Sequence, residues 1–337
     1  MVGPIVSRDA AGAVAEPHAG PSLRPNADII DVLMEIAVWS YVHGWSQVRI
    51  ARALDLDPST VSRYLKRARD EGIVRIEIRR PPRPESDLSL AVAERHGLSR
   101  VIVVPAGADP LESVALAAAT CLDPMLRAGL RLGVSWGHTL AAVIRHLRPD
   151  SSSGLKIAQI AGGIEGSVPD IQGYDLIRSL GALYPRSALR YLYAPAIVDS
   201  AEIRDAIVSD RRISASLRAA AASEIALVGI GSLDEGATLV QGGYVSATDR
   251  KRLLAQGAVG NMNTRFFDLD GRPVGDLDDR TIAISWEQLR AIPTVLAVAA
   301  GEHKATAILG ALRTGCVDVL VTDDVVARSL LKAPPRR

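Results

Sequence analysis

The stretch Ser46 to Arg79, SQVRIARALDLDPSTVSRYLKRARDEGIVRIEIR, carries the pattern that decides how the chain is read. Val61, Leu65 and Ala68 recur at helical spacing, which leaves Ser59, Thr60, Ser62, Arg63, Lys66 and Arg67 on the remaining surface. Asp57 is suited to an N-cap and Pro58 to the first helical position, where a missing N–H costs nothing. A preceding helix over about Gln47 to Leu54 would turn Ile50, Ala51 and Leu54 inward, with Asp55 to Asp57 as the connection. That is helix-turn-helix spacing, in which the second helix presents its N-terminal side chains to the major groove. Gly72 fits a helix stop, and the alternation of Val74, Ile76 and Ile78 with Arg75, Glu77 and Arg79 predicts a strand that serves as a wing.

Charge agrees with this reading. Pro58 to Arg83 holds eight Arg or Lys against three Asp or Glu, a net of +5, although all 337 residues together carry only +1. A local basic excess of this kind is what phosphate neutralisation requires. The expected DNA contacts are Gln47, Ser59, Thr60, Ser62, Arg63, Lys66, Arg67 and Arg75. Arg63 and Ser59 are expected at base edges, with Lys66, Arg67 and Arg75 nearer phosphates.

Outward from this stretch, an upstream helix beginning near Asn26 or Asp28 would carry Ile29, Leu33, Ile36 and Ala37 on one face. Trp39, Tyr41 and Trp45 are expected to close the small core. The first 25 residues, rich in Ala, Gly and Pro, lack the pattern of a secretory signal and are expected to form a disordered arm. Residues 26–79 would be the DNA-binding domain. Residues 80–87 would be a linker, since Pro81, Pro82 and Pro84 cannot continue a helix or a central strand. Residues 88–337 would be the effector domain.

In that larger region short apolar runs alternate with helical segments. Strands are expected at 101–105, 131–135, 156–160, 189–193, 224–230, 281–285, 294–299 and 317–322, and a surface helix over Asp205 to Ser216. The pattern predicts an α/β domain with a mainly parallel sheet, whose ligands bind outside the carboxyl ends of the strands. Loops such as GVSWG, QIAGG, LVGIG and AVAAG are therefore where a site belongs.

Composition narrows the function. Apolar residues at 48% can supply a substantial core, and aromatics at 4% argue against a base-stacking RNA binder. Cys121 and Cys316 lie far apart, outside any metal-ligand spacing, and are expected to be small buried residues. No apolar run approaches the ~18 residues of a membrane span. A soluble cytoplasmic protein without metal or cofactor is expected.

Ser135-Trp136-Gly137-His138-Thr139 follows a strand and opens a helix, so its N–H groups and hydroxyls can hold an anion. Lys304, in Gly301-Glu302-His303-Lys304, would sit in the first turn of another helix, where the macrodipole disfavours a cation and an anionic ligand would relieve the conflict. Gly229-Ile230-Gly231 does not complete a GxGxxG dinucleotide fingerprint. Asn261, in what reads as a Gly257–Asn261 loop, and Gln172 each offer a donor and an acceptor to a hydroxylated ligand.

Seven segments in order resemble the SorC family of bacterial sugar-responsive transcription regulators: QVRIARALDLDPSTVSRYLKRARDEGIVRIEI, GVSWGHTL, APA at Ala194–Ala196, LVGIGS, GAVGNMNTRFFD, AGEHKATAILGALRTG and LVTDD. The resemblance covers about Asp28 to the C-terminus. It implies an N-terminal winged helix-turn-helix plus a larger C-terminal α/β effector domain similar to the sugar-phosphate isomerase/CoA-transferase fold. It also implies a phosphorylated sugar effector, a double-stranded DNA operator and a homodimer or homotetramer; the direction of control stays open, with a repressor released by its inducer favoured over an activator. By motif, Gly137, His138 and Thr139 stand in the phosphate loop, Asn261 at a position usually acidic, and Lys304 at a ligand-contacting lysine. The expected ligand set is Ser135, Gly137, His138, Thr139, Gly162, Gly163, Gln172, Asn261 and Lys304. The rival is a sugar-phosphate isomerase or aldolase with a DNA-binding head, for which Glu302 and Lys304 are the obvious acid–base pair. Their spacing on a helix points them apart.

Overall fold

A computed structural model describes residues 29–74, 86–150, 154–164 and 172–334. The chain divides into two compact units, residues 1–80 and 81–337.

The first unit holds α1 (Ile29–Ala37), a π-turn at Val38–Val42, α2 (Gln47–Leu54) and α3 (Pro58–Asp70). Ile36, Ile50, Val61 and Leu65 are buried together, so three short amphipathic helices each contribute their stripe to one core. Ser46 caps α2 by accepting from Arg49 N, and left-handed Asp55 (φ 54°) makes the tight connection to α3. Asp57 holds the N-cap position of α3, but its side chain accepts no capping bond. Gly72 (φ +74°) ends that helix in the conformation only glycine adopts freely. Trp39 and Trp45 are stacked 5.0 Å apart in this core. Tyr41 does not join them; it is 43% exposed and its hydroxyl accepts from Arg69 Nη1. The expected wing strand, the N-cap at Asn26 or Asp28, Arg75 and the N-terminal arm lie outside the described residues.

The second unit starts with α4 (Ser86–His96), β1 (Arg100–Val104), α5 (Pro110–Leu122), β2 (Arg131–Val134), α6 (His138–His146) and β3 (Lys156–Gln159). It continues with α7 (Gly173–Leu183), β4 (Ala188–Arg190), α8 (Ala201–Ser209), α9 (Arg211–Ala221), β5 (Ile225–Gly231), α10 (Thr238–Gln241) and α11 (Ala247–Ala255). It ends with β6 (Ala258–Met262), β7 (Arg265–Asp268), α12 (Trp286–Arg290), β8 (Thr294–Val298), α13 (Ala305–Arg313), β9 (Val319–Asp323) and α14 (Asp324–Lys332). Seven strands form a parallel sheet in the order β1-β9-β8-β5-β2-β3-β4, and the β6–β7 hairpin attaches antiparallel to the end of β5. Alternate strand residues serve opposite faces: Leu132, Leu227 and Leu296 pack toward α5–α7, whereas Ala226, Val228 and Val295 pack toward α4, α9 and α12–α14. Burial on both faces explains the near-continuous apolar strands. The buried thiols of Cys121 and Cys316 sit in these layers, and burial raises both above the usual thiol range.

Four sequence expectations change. Residues 281–285 are not a strand: Thr281 and Ala283 make single bridges to Ile197 and Ala161, and Ser285 instead caps α12. Gly257–Asn261 is mostly strand β6 rather than a loop. The segment 205–216 is broken at Asp210, whose carboxylate accepts from Arg212 N and Ile213 N and so starts a second helix. Ser86 and Asp87, expected in the linker, begin α4; the other linker residues, 80–85, lie outside the described residues.

Candidate functional site

In the first unit, α3 presents Ser59, Ser62, Arg63, Lys66 and Arg67 as exposed side chains, with Thr60 half-buried and Gln47 exposed at the start of α2. Arg63 Nη2 donates to Thr60 Oγ1 (3.1 Å), which steadies the guanidinium over the first turn of α3. Arg67 is committed elsewhere, since its Nε donates to Glu71 at 2.5 Å one turn on. Lys66 carries no such partner among the described residues and remains a free cation. Arg49, unremarked in the sequence, stacks its guanidinium 4.1 Å from the Trp45 ring and adds a further exposed positive group.

In the second unit, a cavity of about 220 Å³ opens at the carboxyl ends of the central strands. Ser135, Gly137, His138, Thr139, Asn261 and Lys304 all line it. The local reasons are legible. β2 ends at Val134, just before Ser135; Gly137 (φ +122°) turns the chain, and α6 begins at His138, so the N-terminus of α6 borders the cavity. Ser135 and Thr139 are buried there at 3% and 7% exposure. From the other side Asp323, wholly buried, accepts from Gly301 N (2.7 Å) and from Val326 N (2.9 Å). That clamp fixes the turn delivering Lys304, which stands at the N-cap of α13 rather than inside its first turn.

Lys304 is half-buried, and its ammonium has no hydrogen-bond or salt-bridge partner among the described residues. Desolvation lowers its pKa, and the Asp234 carboxylate works in the opposite direction. His138, exposed at the cavity's edge, is also lowered, first by desolvation and then by Lys304. Asp234 is the one carboxylate on the lining, and Ser232 Oγ donates to it at 2.5 Å. Glu302, the acid of the enzyme rival, is exposed and does not line the cavity.

Gly162, Gly163 and Gln172 do not belong to the lining. Gly162 and Gly163 are backbone crossings: Gly162 N donates to Ile282 O, Gly163 N to Ala194 O, and Ala196 N to Gly163 O. A Cβ at Gly162 would lie 2.4 Å from Pro195 O, which accounts for that glycine without a ligand. Gln172 holds the N-cap position of α7, and its side chain makes no capping bond.

The cavity also takes in the LVGIG loop, where the sequence placed a site without assigning its residues, and the unassigned Ser232, Asn263 and Thr264. Gly229, Gly231 and Ser232 bring in the end of β5, while Asn263 and Thr264 bring in the β6–β7 turn. Gly231 is glycine because the Asn261 amide lies where a Cβ would be, 2.6 Å away. Asn263 ties the turn to the sheet by accepting from Ser135 Oγ (3.3 Å) and donating to Ile160 O (3.4 Å). The signal available was position: LVGIGS is the end of a strand near the centre of a parallel sheet, where the Gly spacing mattered less than the place.

A sugar-binding domain family matches residues 81–332, and a winged helix-turn-helix family matches residues 37–94. The crystal structure of the full-length sorbitol operon regulator SorC from Klebsiella pneumoniae superposes with a TM-score of 0.70 at 28% identity, over 91% of this chain and 100% of that one. The chain belongs to the SorC family of sugar-binding transcriptional regulators. Among its relatives are the deoxyribonucleoside regulator of Bacillus subtilis (strain 168), 30% identical over 88% of this chain and 96% of the other. The transcriptional regulator LsrR of Enterobacter sp. (strain 638) is 31% identical over 89% and 92%. This SorC-family member is a DNA-binding transcriptional regulator under effector control.

Proposed function

We propose that this regulator binds a small phosphorylated sugar in the cavity at the strand ends and releases its operator when it does so. The observation that carries this reading is Lys304, a half-buried ammonium with no hydrogen-bond or salt-bridge partner among the described residues, in one cavity with the N-terminus of α6 and the buried hydroxyls of Ser135 and Thr139. Fixed N–H groups, hydroxyls and a lysine suit a phosphate, and the Asn261 amide with Asp234 suits sugar hydroxyls. An amide at Asn261 both donates and accepts, so it recognises a hydroxyl pattern that a carboxylate there would not.

The function is that of a switch rather than an enzyme. Its relatives are named as regulators, and the cavity lining carries one carboxylate, at an exposed loop position, instead of a base set against a substrate carbon. The α3 face reads DNA, with Ser59, Thr60 and Arg63 at bases and Ser62, Lys66 and Arg67 at or near the backbone; Gln47 of α2, and Arg75 outside the described residues, are assigned to the backbone as well. One short helix reads only a few base pairs, so a homodimer or homotetramer placing heads on symmetric half-sites is the working assembly. Among the described residues no helix is long and apolar enough to cross a membrane, and the protein is assigned to the cytoplasm, where sugar phosphates and DNA meet.

Thermal shift tests the ligand class. Ribose 5-phosphate, fructose 6-phosphate, sorbitol 6-phosphate and their unphosphorylated parents are added to the full chain. Stabilisation follows RT ln(1 + [L]/Kd), about 2.7 kcal/mol at a hundredfold excess over Kd. At least one phosphate is expected to stabilise well beyond its parent sugar; equal stabilisation by the free sugars would remove the phosphate from the account.

A further inference from the structure

The β6–β7 hairpin pairs Met262 with Arg265, leaving Asn263 and Thr264 as a two-residue turn. Both are left-handed, at φ 54° and 67°. Such a turn calls for Asn or Asp followed by Gly. Asn263 satisfies the rule and Thr264 breaks it, because a β-branched residue at positive φ is a steric outlier. Strain of this kind persists where the surroundings over-determine it, and it clusters at ligand sites.

Thr264 lines the cavity, is 1% exposed, and its hydroxyl has no hydrogen-bond partner among the described residues. Its neighbour Asn263 has both amide atoms engaged, so the turn itself is already anchored without the threonine. A second lining residue has the same deficit: Trp136 is 9% exposed and its indole N–H is buried without a partner among the described residues. A buried polar group left unpaired costs its full desolvation, and a strained backbone adds to that cost. Neither is explained by the unliganded fold. A glycine at 264 would relieve both.

We propose that Thr264 is a specificity-determining effector contact, its hydroxyl hydrogen-bonding an oxygen of the bound metabolite alongside the Trp136 indole N–H. The inference rests on the cavity being the effector site. The indole can only donate and the threonine can do either, so the shared target is an oxygen, belonging to the phosphate or to a sugar hydroxyl.

The test measures apo Tm and, by calorimetry, the Kd of whichever sugar phosphate most stabilises the wild type, with inorganic phosphate as a second probe. Four variants are compared: Thr264→Val, which keeps shape and loses the hydroxyl, Thr264→Ser, Thr264→Gly and Lys304→Ala. Thr264→Val is expected to weaken the sugar phosphate about tenfold or more with apo Tm unchanged or raised, and Thr264→Ser to hold within about threefold of wild type. Thr264→Gly is expected to raise apo Tm and weaken the ligand as valine does. An equal loss for inorganic phosphate assigns the contact to the phosphate; a loss confined to the sugar phosphate assigns it to a sugar hydroxyl. Wild-type affinity in both Thr264→Val and Thr264→Gly, with Lys304→Ala defective, overturns this inference and leaves the effector site standing. Failure of every probe to bind the wild type overturns both.

Discussion

Lys304→Ala is expected to abolish effector-induced stabilisation while leaving the unliganded protein as stable as wild type or more so. The two halves of this result have one cause. Among the described residues the ammonium is desolvated and finds no hydrogen-bond or salt-bridge partner, and desolvation holds its pKa below 10.5. A base with a depressed folded-state pKa binds its proton more tightly in the unfolded chain, so its charge costs stability at neutral pH and the cost fades as pH rises toward 10.5. Alanine removes that cost. With an anion bound, the same charge donates a charge-assisted hydrogen bond worth about 1.5–3 kcal/mol, or about 10–100-fold in affinity. Calorimetry and melting curves check both halves. A variant that melts lower yet binds the effector normally would make Lys304 a structural residue.

On the DNA side, Arg63→Ala and Lys66→Ala are expected to fail differently. Arg63 stands on the first turns of α3, steadied by Thr60, where side chains meet base edges. Its loss is expected to cost about 1–3 kcal/mol on the operator and to relax the preference at one position. Replacing Lys66, an exposed cation without a salt-bridge partner among the described residues, is expected to weaken binding to all DNA about equally and to lower the salt-dependence slope by about 1. Arg67 is paired with Glu71, so its removal is expected to do less than that of Lys66. Operator and random-sequence titrations at several salt concentrations separate these outcomes. Equal effects of Arg63→Ala on both DNAs would move base reading to another residue.

The helix-turn-helix was legible because each helix must bury one stripe against a small core, and a period of 3.6 marks that stripe directly in Ile50, Leu54, Val61 and Leu65. The strand-to-helix loop was legible for a similar local reason, since Ser135 to Thr139 is continuous in sequence and its glycine at φ +122° marks the turn. What was illegible depended on partners distant in sequence. Gly162 resembles a ligand-loop glycine until Pro195 O is seen to occupy its Cβ position. Gly257 to Asn261 looks like a loop, yet Gly260 is a strand residue kept small by Ala307 of α13, whose Cβ would lie 2.7 Å from an added one. The hairpin turn escaped because Asn-Thr lacks the Asn-Gly signature, and that same departure marks Thr264. Sequence showed where chemistry could sit; the sheet order decided which loops share a cavity.

The central claim is coupling between the cavity and the operator, and coupling is reciprocal: a ligand shifts DNA affinity only by its differential affinity for the two states. The direct measurement is fluorescence anisotropy of labelled operator DNA titrated with full-length protein, with and without saturating effector, for wild type and Lys304→Ala. The account predicts that effector weakens wild-type operator binding about tenfold or more, within the ~1–3 kcal/mol typical of such coupling, and leaves Lys304→Ala bound. An operator affinity indifferent to every compound that stabilises the protein would contradict it.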